Sequence, residues 1–150
     1  MRLYLDTEFN GHGGELISMA LVGESDKTVF YEAQFVDHPI DPWVRENVFP
    51  KIGTIMKEPD DFRREFITWI RQFNNPEIIC DWHADAAHFC NMLSGLDYND
   101  SIDYAFRITV LKTPPGQPVS ATPHNALADA IALRDWHTSV TSAVGHSNES

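Results

Sequence analysis

Apolar and polar positions alternate from the start of the chain. In RLYLDTEF, residues 2–9, an extended strand puts Leu3, Leu5, Thr7 and Phe9 on one face and Tyr4, Asp6 and Glu8 on the other. ELISMALV (15–22) and TVFYEAQF (28–35) predict two more strands, divided by the turn-forming segments GHGG (11–14) and GESDK (23–27). Links this short predict an antiparallel meander. DPWVRENVFP (41–50) predicts a short helix with Pro42 in its first turn and Pro50 at its end. From residue 58 to 73 the period changes: Phe62, Phe66, Trp69, Ile70 and Phe73 recur at helical spacing and are expected in the core, with Asp60 and Asp61 near the helix start. EIICD (77–81) reads as a short buried strand of a parallel sheet, residues 84–93 as a helix that Gly95 can end, and residues 102–110 as a further strand. The Pro-rich segment 112–123 is expected to be irregular, and a helix is expected from His124 to about Val140, with Leu127, Ile131 and Trp136 among its apolar positions.

This order of elements predicts an α/β domain whose sheet joins three antiparallel strands to parallel ones, with helices packed on it. One domain is expected over 1–143, followed by a polar tail at 144–150. Apolar residues make up 43% of the chain, yet no run approaches the roughly 18 needed to span a bilayer. The N-terminal residues enter a strand without the charged-then-apolar pattern of a signal peptide, so a cytoplasmic protein without membrane contact is expected. Cys80 and Cys90, ten residues apart in apolar surroundings, match no zinc or redox spacing and read as reduced core residues. The net charge of −11 argues against binding nucleic acid through a broad basic surface, but not against gripping a few nucleotides through metal ions. Lys51, Lys57, Arg63 and Arg64 read as a solvated face, and His83, His88 and His137 as packing or surface residues.

Against this background the paired acids of β-strand 2–9 raise a chemical question. Two like charges on one strand face repel, and burying them uncompensated is costly. A divalent cation removes that penalty. Two further acidic positions stand out. Asp129 lies five residues after His124, a turn of about 500° on an ideal helix, so His124 meets Asp129 only if it precedes the helix, where Pro123 makes a boundary. Asp85 falls where the strand 77–81 passes into a helix, at the strand's C-terminal end, where ligand sites of open α/β sheets gather; Asp81, nearer the strand, is its rival.

Asp-x-Glu in DTEF (Asp6–Phe9), an Asp at a strand-to-helix junction, and His-x-x-x-x-Asp in HNALADA (His124–Ala130) together resemble the signature of DEDDh 3′-to-5′ exonucleases of the ribonuclease H-like superfamily. The compact length, ELISMALV and DPWVRENVFPKI are further similar to a small mycobacterial and phage branch of exoribonucleases, some of which prefer adenylate-rich RNA. The resemblance implies a ribonuclease H-like sheet, Asp6, Glu8, Asp85 and Asp129 as ligands of two Mg2+ ions (Mn2+ substituting), and His124 as general base. It implies release of nucleoside 5′-monophosphates from the free 3′ end of a single-stranded nucleic acid, RNA favoured, by a homodimer. Phe9 and Thr7 are the expected contacts to the terminal nucleotide, with Trp82 and His83 nearby. A 3′-to-5′ DNA exonuclease, or a binding module that has lost activity, are the alternative functions.

Overall fold

β1 (Arg2–Phe9) lies inside a six-stranded mixed sheet, with β2 (Leu16–Gly23) antiparallel on one side and β5 (Glu77–Cys80) parallel on the other. A computed structural model of the chain describes residues 1–95 and 98–146. The sheet order is β4-β3-β2-β1-β5-β6, where β3 is Val29–Gln34, β4 Met56–Lys57 and β6 Arg107–Val110. The predicted meander is present: β2 pairs antiparallel with both β1 and β3. Every residue of β2 is buried, as its nearly continuous apolar sequence requires of a strand covered on both faces.

The alternation along β1 sends its side chains into two separate cores. Leu3 and Leu5 pack with Phe62, Phe66 and Ile70 of α2 (Pro59–Ile70) and with Phe89, Met92 and Leu93 of α3 (His83–Ser94). Tyr4, on the opposite face, packs with Ala20, Val22 and Ile79 against Ala126, Ala130 and Leu133 of α4 (Ala126–His146). The core positions read from the period of α2 are confirmed: Phe62, Phe66 and Ile70 are fully buried, and Trp69 and Phe73 pack against the cluster. Cys80 is buried and Cys90 half-buried, both free thiols.

Several boundaries differ from the expectation, each for a local reason. α1 (Pro42–Asn47) starts on Asp41, whose Oδ1 accepts from the backbone N–H of Trp43 at 2.9 Å and of Val44 at 3.3 Å, but it stops at Asn47, and Pro50 sits inside a separate 3-10 turn, Phe49–Lys51. The two-residue β4 is too short to leave a period in the sequence. The strand expected over 102–110 is confined to 107–110. Ahead of it the chain docks Ile102, Tyr104 and Phe106 onto the core, and the Tyr104 hydroxyl lies within hydrogen-bond distance, 2.8 Å, of the carbonyl oxygens of Ile70, the last residue of α2, and of Phe73 just beyond it. Gly95 does end α3, in a left-handed conformation with φ +73°. α4 begins at Ala126 and runs to His146, into the segment expected to be a tail; residues 147–150 of that tail lie outside the described residues. No helix among the described residues is long and apolar enough to cross a membrane.

Candidate functional site

Two helices on opposite faces of the sheet each place a carboxylate in a stripe that is otherwise apolar. On α4, Asp129 shares the sheet-facing stripe with the buried residues Ala126, Ala130 and Leu133. On α3, Asp85 precedes Phe89, Met92 and Leu93 on the core-facing stripe and is only 2% exposed. Asp6 and Glu8 extend from β1 on the α4 face, following Tyr4 with period 2. Asp81 follows Ile79 by the same step, and Ile79 is the register partner of Tyr4, so Asp81 lies alongside Asp6 just past the end of β5.

Five carboxylates therefore converge in two groups that share Asp6. Asp6, Glu8 and Asp129 bring ligand oxygens within 4.8 Å of one another, and so do Asp6, Asp81 and Asp85. The two rivals, Asp81 and Asp85, both stand with Asp6. The structure brings all four acids expected from the sequence together and adds Asp81 to them.

The electrostatics are those of carboxylates crowded together and buried. Burial, and then repulsion from Asp85, Glu8, Asp129 and Asp81, raises the Asp6 carboxyl far above the usual range. Burial and the charges of Asp129 and Asp85 push Glu8 up to about 8. Asp85 is pushed up to about 7, mainly by burial, against hydrogen bonds from Thr7 that hold it down. Asp81 and Asp129 are raised chiefly by burial as well. Asp6 Oδ2 and Asp129 Oδ1 are buried without a hydrogen-bond partner. Buried polar atoms are nearly always paired, so two orphaned carboxylate oxygens in one cluster call for a missing partner. An all-oxygen donor set suits a hard divalent ion such as Mg2+ or Mn2+.

Thr7, expected to contact substrate, lines the cleft and also holds Asp85. It points to the α3 face with Leu3 and Leu5 and is buried. Its hydroxyl donates to Asp85 Oδ1 at 2.6 Å and its backbone N–H to the same oxygen at 3.1 Å. Both donors of Thr7 are spent on Oδ1, which fixes the carboxylate that α3 carries round the end of β1. The identity of that partner follows from the packing of α3 on the sheet; the strand sequence alone does not show it.

His124 precedes α4 by two residues. Its backbone is left-handed, φ +66°, a conformation that costs a residue with a Cβ and that clusters at functional sites. Its N–H donates to Asp129 Oδ2 at 2.9 Å, and its ring meets the Trp43 indole edge-on, centroids 4.9 Å apart. The segment is tied down from a distant part of the chain. Lys51 Nζ donates to the Pro123 carbonyl at 2.8 Å, and Asn125 Nδ2 donates to the Lys51 carbonyl at 2.6 Å and to the Tyr31 hydroxyl at 3.1 Å. Asn125 also caps α4, accepting from the Ala128 N–H at 3.0 Å. Lys51 is thus a half-buried brace beside the site, not the solvated residue expected. Lys57 is likewise paired, with Glu32 at 2.8 Å and with Glu65, and Arg63 donates to the Met92 and Asp100 carbonyls at 2.9 and 2.6 Å. Arg64 is exposed and pairs with Asp61.

The acidic centre forms the floor of a cleft of about 440 Å³, within the range of small-ligand sites. Its walls are aromatic and apolar. Phe9 lies in contact with Trp82 and His88, centroids 5.8 and 4.9 Å away, while Trp43 and Val44 line the cleft from α1. Trp43 and Trp82 are each about half exposed. Phe9 lines the cleft, and Trp43 is a wall residue that the sequence reading did not single out; its position two residues after the capping Asp41 was the available signal.

No protein-family model, curated protein or solved structure matches the chain.

Proposed function

We propose that this chain is a metal-dependent 3′-to-5′ exonuclease of the DEDDh type, acting on single-stranded RNA, adenylate-rich RNA in particular, and releasing nucleoside 5′-monophosphates. The observation that carries the reading is the pair of carboxylate groups hinged on Asp6, with His124 held at the edge of one of them. The element order and mixed sheet support the ribonuclease H-like fold that the sequence motifs imply. Asp6 with Glu8 and Asp129 would hold one divalent ion, and Asp6 with Asp81 and Asp85 a second. Bound there, such ions neutralise phosphate charge and stabilise the charge that develops in an in-line displacement at phosphorus.

The chain's own groups supply the rest. Thr7 fixes Asp85. Trp43, Phe9 and Trp82 offer apolar surface to base and sugar of the terminal nucleotide. His124 accepts the proton of the attacking water, a general-base role open to an imidazole near neutral pH. The homodimer implied by the motifs belongs to the same reading and is checked by sedimentation.

The test is cleavage of a 5′-labelled adenylate-rich RNA oligomer in Mg2+, beside its DNA twin and the Asp6→Ala variant. A ladder shortening by single nucleotides on RNA and absent in the variant supports the reading. A ladder on DNA alone selects the DNA exonuclease. Tight binding of either strand without cleavage, with Mn2+ binding verified, selects a binding module.

A further inference from the structure

The acidic centre opens on two cavities. The first is the aromatic cleft of about 440 Å³. The second, about 260 Å³, lies under the Pro-rich segment before α4 and has Gln117, Pro118, Ser120 and Ala132 as its own walls. Asp6, Asp81, His124 and Asp129 line both. Glu8, Asp85 and Thr7 line the first alone.

The two cavities differ in chemistry. The first carries Phe9, Trp43 and Trp82, which suit a base and its sugar. The second carries no aromatic ring other than that of His124; an amide and a hydroxyl face it. Its volume falls below the roughly 300 Å³ of the smallest ligand pockets, whereas one liquid water takes about 30 Å³. At that volume it has room for up to about nine waters.

We propose that this second cavity is the access path of the nucleophilic water. The proposal rests on the hydrolytic reading given above. An in-line displacement needs the nucleophile and the leaving oxygen on opposite sides of phosphorus. A nucleotide seated in the aromatic cleft would cover that approach, whereas the second cavity reaches His124 and Asp129 past Gln117, Pro118 and Ser120, without Phe9, Trp43 or Trp82 in its lining. In the reaction a bond forms between the water oxygen and phosphorus, and the bond from phosphorus to the O3′ of the preceding nucleotide breaks. The water proton passes to the His124 ring, and the departing O3′ takes a proton from solvent. Gln117 and Ser120 are then positioning residues that hydrogen-bond the incoming water. Ser120 in addition restrains Asp129, whose carboxyl its hydroxyl holds down.

The path can be narrowed without touching the centre. Ala132→Leu fills the cavity from α4, and Gln117→Phe fills it from the exposed segment, so a folding defect in one does not decide the matter. Both are compared with the parent chain on an RNA oligomer, with Mn2+ affinity measured by calorimetry. Methanol is added as a competing nucleophile, which yields the methyl ester of the nucleoside 5′-phosphate. The expected result is a fall in kcat of about tenfold or more with KM and Mn2+ affinity kept, and a smaller share of methyl ester, because the larger nucleophile is excluded first. A rise in KM at unchanged kcat would show that the cavity holds nucleotide and would overturn the proposal. Unchanged kcat, or an unchanged ester share, in both variants would overturn it too. A parent chain that hydrolyses nothing removes the hydrolytic reading and this proposal together, whereas a parent that cleaves and variants that cleave alike remove this proposal alone.

Discussion

Replacing Thr7 by Val deletes one hydroxyl from a buried site at nearly constant shape. That hydroxyl is 2.6 Å from Asp85 Oδ1, and it is the leading influence holding down a carboxyl that burial has pushed up to about 7. A hydrogen bond to a charged group contributes about 1.5–3 kcal/mol. The Thr7 N–H, 3.1 Å from the same oxygen, survives the substitution, so the loss belongs at the lower end of that range, roughly 1.5–2 kcal/mol. At about 1.4 kcal/mol per factor of ten, Mn2+ affinity at pH 7.5 should fall by roughly 10- to 30-fold, in line with the usual cost of deleting a residue that orients a metal ligand. The sign of the pH effect follows as well. Without its donor the Asp85 carboxyl rises further, and since the ion needs the carboxylate, the midpoint of Mn2+ binding moves to higher pH. Calorimetric titration from pH 6 to 9 reads both quantities, with circular dichroism as the check on folding. Thr7→Ser keeps the hydroxyl and should recover most of the affinity. Equal Mn2+ affinity for the parent and the Val variant at pH 7.5, or no recovery by Ser, would refute the assignment of Thr7 as the brace of Asp85.

Three other outcomes are expected. In chelator, the folded chain holds its site protons to higher pH than the unfolded chain does, so stability should fall as pH rises from about 4.5, the ordinary value of Glu8, towards 8, its folded value. Glu8→Gln should reduce that fall by about 1–2 kcal/mol, well below the full shift because the charges share the cost, and so raise the melting temperature at pH 8 by roughly 2–8 °C while leaving it little changed at pH 4.5. A melting temperature in chelator that is flat with pH would count against the repulsive cluster. His124→Ala should lower kcat by about 10²–10⁴-fold at saturating Mn2+, and a kcat equal to the parent's argues for another base. Gly14→Ala should destabilise the loop beside the cleft by about 1–3 kcal/mol in urea titration, because a Cβ there would stand 1.9 Å from the Asn10 carbonyl oxygen, and an unchanged midpoint would mean that the loop relaxes freely.

The sequence by itself determined what local periodicity can encode. The period of 2 in RLYLDTEF put Asp6 and Glu8 on one face, because successive strand side chains must point to opposite sides. The period of 3.6 in α2 named its buried rings, and Pro42 and Gly95 marked helix ends through their own backbone restrictions. The last helix was read two residues early, from His124, although the five-residue step to Asp129 and Pro123 marked the condition under which His124 would precede it, and the structure meets that condition. Tertiary structure decided which of these groups meet. Asp81 joins Asp6 because β5 lies parallel to β1 in a register that pairs Ile79 with Tyr4, and register between strands some seventy residues apart leaves no trace in either one. Thr7 points away from the acids on its own strand, yet it braces one of them, because α3 packs on that face and carries Asp85 round the strand end. The brace of Lys51 against Pro123 and the second cavity under the Pro-rich segment arise in the same way, from surfaces that come together only when both cores have closed on the sheet. Periodicity fixes the direction of a side chain relative to its own element; what stands opposite it is fixed by packing.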